Sequence, residues 1–172
     1  EFRRVLFRSF IGGEPPHPGV VAHLPERRWV IAADSGYDHA CALGVHVDLV
    51  VGDLDSVSTD GLRRIEASGV AVERFPTDKA FTDTELALQA AVRHGADRIV
   101  VVSCVGERLD HSVAALMALA DRSLAEVTVE AWWGAANVHV LCGPGTRTVH
   151  GRVGETISLI PVGGTVRVLQ LA

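Results

Sequence analysis

The sequence predicts an α/β fold: an open, mostly parallel sheet flanked by helices (Rossmann-like), followed by a partial C-terminal β-sandwich. Three observations predict it. From Phe10 to Trp133, short apolar runs rich in Val and Ile alternate with amphipathic, alanine-rich stretches, the mark of parallel strands covered by helices. Gly44, Gly69 and Gly95 each follow a helical stretch, where a residue without a Cβ takes the left-handed turn that closes a helix. After Trp133 the runs become short, rich in Val and Thr and separated by Gly and Pro, which reads as antiparallel strands.

Residues 1–9 are set aside as adapter-derived. RRVLFRS, Arg3 to Ser9, is what a common sequencing-adapter string encodes, and such segments are excluded from fold reasoning. An arginine-rich, partly ordered N-terminus ranks second. The α/β domain then spans residues 10–133. Its expected strands are a truncated Phe10–Ile11, then Trp29–Ala33, Leu49–Gly52, Val70–Arg74, Ile99–Val105 and Val127–Trp132, each a short apolar or β-branched run. Helices are expected near Gly36–Leu43, Asp60–Ser68, Asp83–His94 and His111–Ala120, where the apolar positions recur at helical spacing. Residues 134–172 are read as an incomplete β-sandwich made of NVHVLC, TRTVH, ETISLIP and TVRVLQL. About four short strands are too few for an independent sandwich.

Composition narrows the function. A chain of 172 residues with 48% hydrophobic content buries a full core. No apolar run is long enough for a membrane span and no secretory signal is visible, so the expected setting is cytoplasmic. Cys41, Cys104 and Cys142 are odd in number and widely spaced, which suggests neither disulfides nor zinc, but small buried hydrophobes. A formal charge of −5 without a basic cluster in the body of the chain argues against a nucleic-acid surface and leaves room for a metal-bridged polyanion.

The polar residues gather at predicted strand ends. VDLVVGDLDSVS ends an apolar segment with Asp53 and Asp55. In an extended chain alternate side chains share a face, so both carboxylates would point the same way, roughly 6–7 Å apart. They form a cation site at the carboxyl end of a strand, or else Asp53 turns the chain while Asp55 or Ser56 caps the next helix. Asp34, Ser35 and Gly36 follow the strand Trp29–Ala33 and lead into a helix, suiting a cap or an anion. Thr82-x-x-Glu85 is a capping box, and Asp83 in the first turn favours the helix dipole. Lys79, just upstream, is either solvated or positioned for phosphate oxygens. Arg108, Asp110 and His111 lie after the strand RIVVV, as a loop salt bridge with a cap or as part of a site. No P-loop and no G-x-G-x-x-G is present, so phosphates would be held by metal, helix N-termini and cationic side chains.

Taken together, ADSG (33 to 36), GDLDS (52 to 56), FPTDKAFTDTELAL (75 to 88) and GERLDH (106 to 111) resemble the thiamine pyrophosphokinase (thiamine diphosphokinase) family. The resemblance runs in order from about Phe10 to Ile160. It implies an α/β ATP-binding domain followed by a thiamine-binding β-sandwich, and homodimers with active sites between subunits. By motif match, Asp53, Asp55 and Asp83 bind Mg2+ with Asp34 close by, and Arg108 and Asp110 share the catalytic centre with Asp83. Ser35, Gly36, Ser56, Lys79, Thr82 and His111 fall with Asp34 in the ATP- and diphosphate-binding set. The implied reaction transfers diphosphate from ATP to thiamine, giving thiamine diphosphate and AMP, without nucleic-acid or membrane partners. Two departures stand out: Ala80 where the family usually carries an aspartate, with Asp78 on the same face of an extended loop, and an ending at TVRVLQLA, before further strands. The chain therefore reads as a C-terminally truncated gene fragment. The alternatives are a hydroxymethyl-pterin diphosphokinase, a non-catalytic metal- or nucleotide-binding remnant, and an α/β domain whose acids only cap helices.

Overall fold

A computed structural model describes residues 6–24, 29–104, 106 and 108–167. Among them, seven strands form one sheet: β1 Leu6–Phe10, β2 Trp29–Ala33, β3 Leu49–Gly52, β4 Ala71–Arg74, β5 Arg98–Ser103, β6 Thr128–Trp133 and β7 Ala136–His139. The spatial order is β4-β3-β2-β1-β5-β6-β7. All neighbours pair in parallel except β6 and β7, which form an antiparallel hairpin. The four α-helices are α1 Gly36–Ala42, α2 Thr59–Ser68, α3 Asp83–Arg93 and α4 Leu109–Ala118.

The period-2 alternation of the strands divides the core in two. Ile31, Leu49, Val51, Ile99, Val101 and Val129 point to one face, under α3 and α4. Val30, Ala32, Val50, Val100 and Val102 point to the other, where Tyr37 and Ala40 of α1 and Ile65 of α2 cover them. A sheet buried on both faces needs continuous apolar strands, and β2, β3 and β5 supply them. The sheet grows outward in opposite directions from β1 and β5. The crossover from edge strand β4 to β5 therefore carries α3 back across β3, β2 and β1, against which it packs. That path brings the N-terminus of α3 over the carboxyl ends of β2 and β3.

Several boundaries differ from expectation. The first strand is Leu6–Phe10, not Phe10–Ile11, so residues 6–9 of the segment set aside as adapter-derived lie in a strand between β2 and β5. Strand pairing is made by backbone groups and tolerates many sequences, so this placement is silent on the segment's origin. Residues 1–5 of that segment lie outside the described residues, as does Val105, the expected end of the fifth strand. Two short 3-10 turns, Pro18–His23 and Arg122–Leu124, went unrecognised. The first is masked in sequence by Pro15, Pro16 and Pro18, and starts where the His17 side chain accepts the Gly19 N–H. Helix α4 begins at Leu109, two residues early. The cysteines are free but only half-buried rather than buried, Cys41 packing from α1 against one half of the core.

The C-terminal region departs furthest. NVHVLC was expected in the second unit, yet its first residues belong to β7 and extend the main sheet. No helix or strand occurs in residues 140–167; TRTVH and ETISLIP are irregular, and residues 168–172 of the last expected strand are outside the described set. Ile157, Leu159 and Ile160 are exposed, as befits strand-like segments with too few partners to bury a face. Arg147 anchors the segment by pairing with Glu130 of β6, which Arg98 of β5 also meets at 2.6 Å. No helix among the described residues is long and apolar enough to cross a membrane.

Helix α1 approaches β1 so closely that a Cβ on Gly36 would stand 2.2 Å from the Phe10 carbonyl oxygen. Backbone cannot yield as a flexible side chain can. Gly36→Ala is predicted to cost about 1–3 kcal/mol, read as a lowered urea midpoint with unchanged slope; a midpoint equal to that of the parent chain would contradict this packing.

Candidate functional site

The site begins where β2 and β3 stop. Asp34 follows β2 with φ 47 and Leu54 follows the end of β3 with φ 68, the two non-glycine residues at positive φ among the described residues. Aspartate tolerates this region, whereas leucine does so rarely and at a cost. A single hydrogen bond joins them: the Leu54 N–H donates to Asp34 Oδ1 at 3.0 Å. Leu54 is also 4% exposed, so its burial and this bond together hold the turn. The Asp34 N–H still donates to the Val51 carbonyl, which fixes the aspartate to the adjacent strand.

Gly52, the last residue of β3, makes the space. Its φ is 139, and an added Cβ would meet Asp34 Oδ1 at 2.2 Å and Asp83 Oδ1 at 2.9 Å. Asp83 arrives from the first turn of α3, whose start is set by a complete capping box: Thr82 accepts the Glu85 N–H and Glu85 accepts the Thr82 N–H. Asp53 completes the group. Asp34, Asp53 and Asp83 each offer a carboxylate oxygen within 4.8 Å of the others. The Lys79 ammonium lies 3.0 Å from Asp53 Oδ2 and 3.0 Å from Asp83 Oδ1, with its side chain 11% exposed.

The electrostatics follow from crowding. Burial first, and then the neighbouring Asp83, push the Asp34 carboxyl up to about 7. Burial would also raise Asp53, but hydrogen bonds from Lys79 and the Asp55 N–H outweigh it and hold Asp53 below the usual carboxylate range. Asp55 is raised by desolvation and by Asp53. For Lys79, burial disfavours the charge, yet Asp53 and Asp83 more than compensate and the net direction is up. Hard, closely spaced carboxylate oxygens carrying more negative charge than one ammonium neutralises suit a divalent cation such as Mg2+, which takes oxygen ligands from one or two carboxylates and phosphates.

The structure brings together only part of the predicted set. Asp34 takes a place in the trio, while Asp55 is exposed beside it, its N–H donating to Asp53 Oδ1 at 3.1 Å. The extended-chain argument that aligned Asp53 with Asp55 fails because left-handed Leu54 breaks the pleat between them. Ser56 is exposed and caps nothing; Ser58 caps α2, held in turn by Asp38. Ser35 and Gly36 open α1, and the Ser35 hydroxyl makes no cap hydrogen bond. Arg108, Asp110 and His111 form a separate exposed group at the start of α4. Arg108 Nη2 lies 2.5 Å from Asp110 Oδ2 and His111 Nε2 3.9 Å from it. No hydrogen bond or ion pair among the described residues joins this group to the aspartate trio. The Arg108 hydrogen bond holds the Asp110 carboxyl below its ordinary value. Asp78 is exposed and makes no hydrogen bond or ion pair with the trio among the described residues.

Sequence reasoning missed Gly12 and Gly13, which follow β1 at the point where the sheet changes direction. Gly13 has φ 122, and a Cβ there would lie 2.6 Å from the Cys104 carbonyl oxygen. Ser103 Oγ donates to the Gly12 carbonyl and His39 Nε2–H to the Gly13 carbonyl, both at 3.0 Å. A Gly-Gly pair directly after an apolar run was the available signal, and it has meaning only once β1 is placed. Beside this loop runs an open groove of about 580 Å³ lined by Pro15, Pro18, His39, Leu43, Cys104 and Gly134, at the switch point where α/β sheets bind ligands.

With this geometry, comparison with known proteins is specific. A family model described as thiamin pyrophosphokinase, catalytic domain, matches residues 22–131. A curated thiamine pyrophosphokinase of Bacillus subtilis (strain 168) is 29% identical over 105 residues, covering 60% of this chain and 49% of that protein. The chain thus spans about half the length of that relative. Among solved structures, the Geobacillus thermodenitrificans thiamin pyrophosphokinase is 25% identical, with TM-score 0.61 over 74% of this chain and 59% of that one. The Bacillus subtilis structure gives 22% identity and TM-score 0.62 over 74% and 60%. The Candida albicans enzyme gives 16% and 0.58 over 76% and 58%. These last two likenesses speak for the fold alone.

Asp34 carries a testable sign. Its folded pKa of about 7 exceeds the unfolded value of 3.8, so the folded state binds the extra proton between those values and stability falls as pH rises through them. Asn at this position keeps an acceptor for the Leu54 N–H and offers Asp83 a donor. Asp34→Asn is therefore predicted to raise the Tm at pH 8 in chelator while leaving it nearly unchanged at pH 4; an equal shift at both would contradict the assignment. Gly52→Ala is predicted to abolish divalent-ion stabilisation of the same melt, because its Cβ displaces the Asp34 carboxylate.

Proposed function

The chain belongs to the thiamin pyrophosphokinase family, and we propose that it carries the ATP- and metal-binding catalytic domain of a thiamine diphosphokinase, transferring diphosphate from ATP to thiamine to give thiamine diphosphate and AMP. The observation that carries this reading is the convergence of Asp34, Asp53 and Asp83 at the carboxyl edge of the sheet. In this proposal the three hold Mg2+ and Asp55 adds negative charge beside them. Bound there, the ion neutralises the triphosphate and stabilises charge that develops during transfer.

The remaining roles fall to the chain's own groups. Lys79 offers a compact ammonium to phosphate oxygens, and Ser35, Gly36, Ser56, Thr82 and His111 border the nucleotide. The groove beside Gly13 receives the adenine. Arg108 clamps a phosphate. The thiamine hydroxyl attacks the β-phosphorus as the bond from that phosphorus to the AMP oxygen breaks and its electron pair leaves on AMP; Asp110, kept ionised by Arg108, accepts the hydroxyl's hydrogen bond and orients it, and the hydroxyl proton passes to Asp110 or to water. The same reading assigns residues 10–133 to the catalytic domain, residues 134–172 to part of a thiamine-binding β-sandwich, the assembly to a homodimer and the setting to the cytoplasm. Exposure of Ile157, Leu159 and Ile160 supports the sandwich and dimer, since these side chains have no cover of their own. The pterin acceptor is not favoured, as the matching proteins are described as thiamine enzymes.

In a full-length version, AMP release from ATP is predicted with thiamine as acceptor and not with a hydroxymethyl-pterin. Asp53→Asn or Asp83→Asn should lower kcat by at least about 100-fold. AMP measured by chromatography decides: magnesium-dependent ATP binding with no AMP from either acceptor selects the remnant, and undiminished turnover in the aspartate variants removes them from the role.

A further inference from the structure

Lysine is used once in this chain. Against 15 arginines, Lys79 is the sole lysine, and its ammonium sits between two members of the aspartate trio, 3.0 Å from Asp53 Oδ2 and 3.0 Å from Asp83 Oδ1. Wherever a solvated cation suffices, this sequence uses arginine; at the acidic cluster it does not. The two side chains differ in ways that matter here. Arginine presents a rigid planar fork suited to a fixed bidentate pair, whereas lysine presents a small, rotatable charge on a flexible stem that can be buried and withdrawn. The contacts are those of a cation lodged in place rather than of a fixed pair. Lys79 donates a hydrogen bond to Asp53, while its approach to Asp83 Oδ1 is an ion pair without hydrogen-bond alignment, and that oxygen is buried.

We propose that Lys79 is an exchangeable internal counter-ion: its ammonium occupies the cation position between Asp53 and Asp83, and a divalent ion binds the trio by displacing it. The inference rests on the metal reading above and goes beyond it, since it concerns what the site must give up to bind metal. An ion shared by those two carboxylates would lie close to a retained ammonium, and the repulsion between them is strong in a partly dehydrated site. The stem of Lys79 leaves by way of the exposed loop residues Thr77, Asp78, Ala80 and Phe81, which offer a route into solvent or onto phosphate oxygens. In the metal-free cluster, the lysine keeps three crowded carboxylates from destabilising the fold, and sets a threshold that weakly bound cations do not pass.

Titration of this chain with Mn2+ in the absence of nucleotide, followed by calorimetry, tests the exchange. Lys79→Met is expected to bind Mn2+ at least about tenfold more tightly than the parent, with a lower Tm in chelator and a larger Mn2+-induced rise. Lys79→Arg, which keeps the charge, is expected to bind no more tightly than the parent. Because Lys79 carries the sole side-chain amine, its acetylation rate can be followed by mass spectrometry; saturating Mn2+ is expected to raise that rate at least about fivefold as the ammonium leaves its burial. Equal or weaker Mn2+ binding by Lys79→Met, or an acetylation rate unmoved by Mn2+ in a chain that binds it, overturns the counter-ion role while leaving the metal site intact. Absence of Mn2+ binding in parent, Lys79→Met and Asp53→Asn alike overturns the metal reading itself, and the exchange with it.

Discussion

The structure turns on holding three carboxylates closer together than their charges favour. Asp34, Asp53 and Asp83 come from a strand end, the next strand end and a helix start, so no local motif gathers them. The parallel register of β2 and β3 sets the first two side by side, and the long crossover that returns α3 over the sheet delivers the third. The repulsion is offset by the raised proton affinity of Asp34, by Lys79, and by the Leu54 N–H. The Leu54 N–H is a fixed part of the turn, whereas the Lys79 ammonium is a separate counter-charge set among the carboxylates.

Much of the frame was legible in sequence, for reasons that also explain the failures. β2 and β3 were located to the residue because apolar runs end abruptly at Asp34 and at Gly52-Asp53. The start of α3 was legible because Thr82 and Glu85 form a local device that needs no tertiary context. β1 was truncated in the reading since its residues were discounted for their coding origin, and the loss of that strand hid the Gly12-Gly13 loop. β7 was assigned to a second unit because a Gly134 turn followed by a Val-rich run looks alike whether the hairpin extends an old sheet or opens a new one.

The site shows the sharper lesson. The aspartate pair one residue apart suggested shared orientation by simple pleat geometry, yet a single left-handed leucine turns the chain between them, and the tight trio is Asp34, Asp53 and Asp83 with Asp55 exposed beside it. Positive φ at a buried leucine is a tertiary outcome, sustained by a hydrogen bond to a residue 20 positions away, and no local pattern announces it. Arg108 and Asp110 illustrate the complementary case. Their sequence position left a loop salt bridge and a part in a site both open; Arg108 and Asp110 pair with each other at the start of α4. In residues 140–167 the apolar spacing meets no covering element among the described residues, and Ile157, Leu159 and Ile160 are exposed.

The central claim is that one divalent ion is shared by carboxylates from three separate elements. Crystals grown with Mn2+ and measured at a wavelength where manganese scatters anomalously test it most directly. The account predicts one strong anomalous peak within about 2.0–2.3 Å of oxygens from Asp34, Asp53 and Asp83. A peak beside Asp110 instead, or one touching only Asp53 and Asp55 with Asp34 turned away, would contradict it.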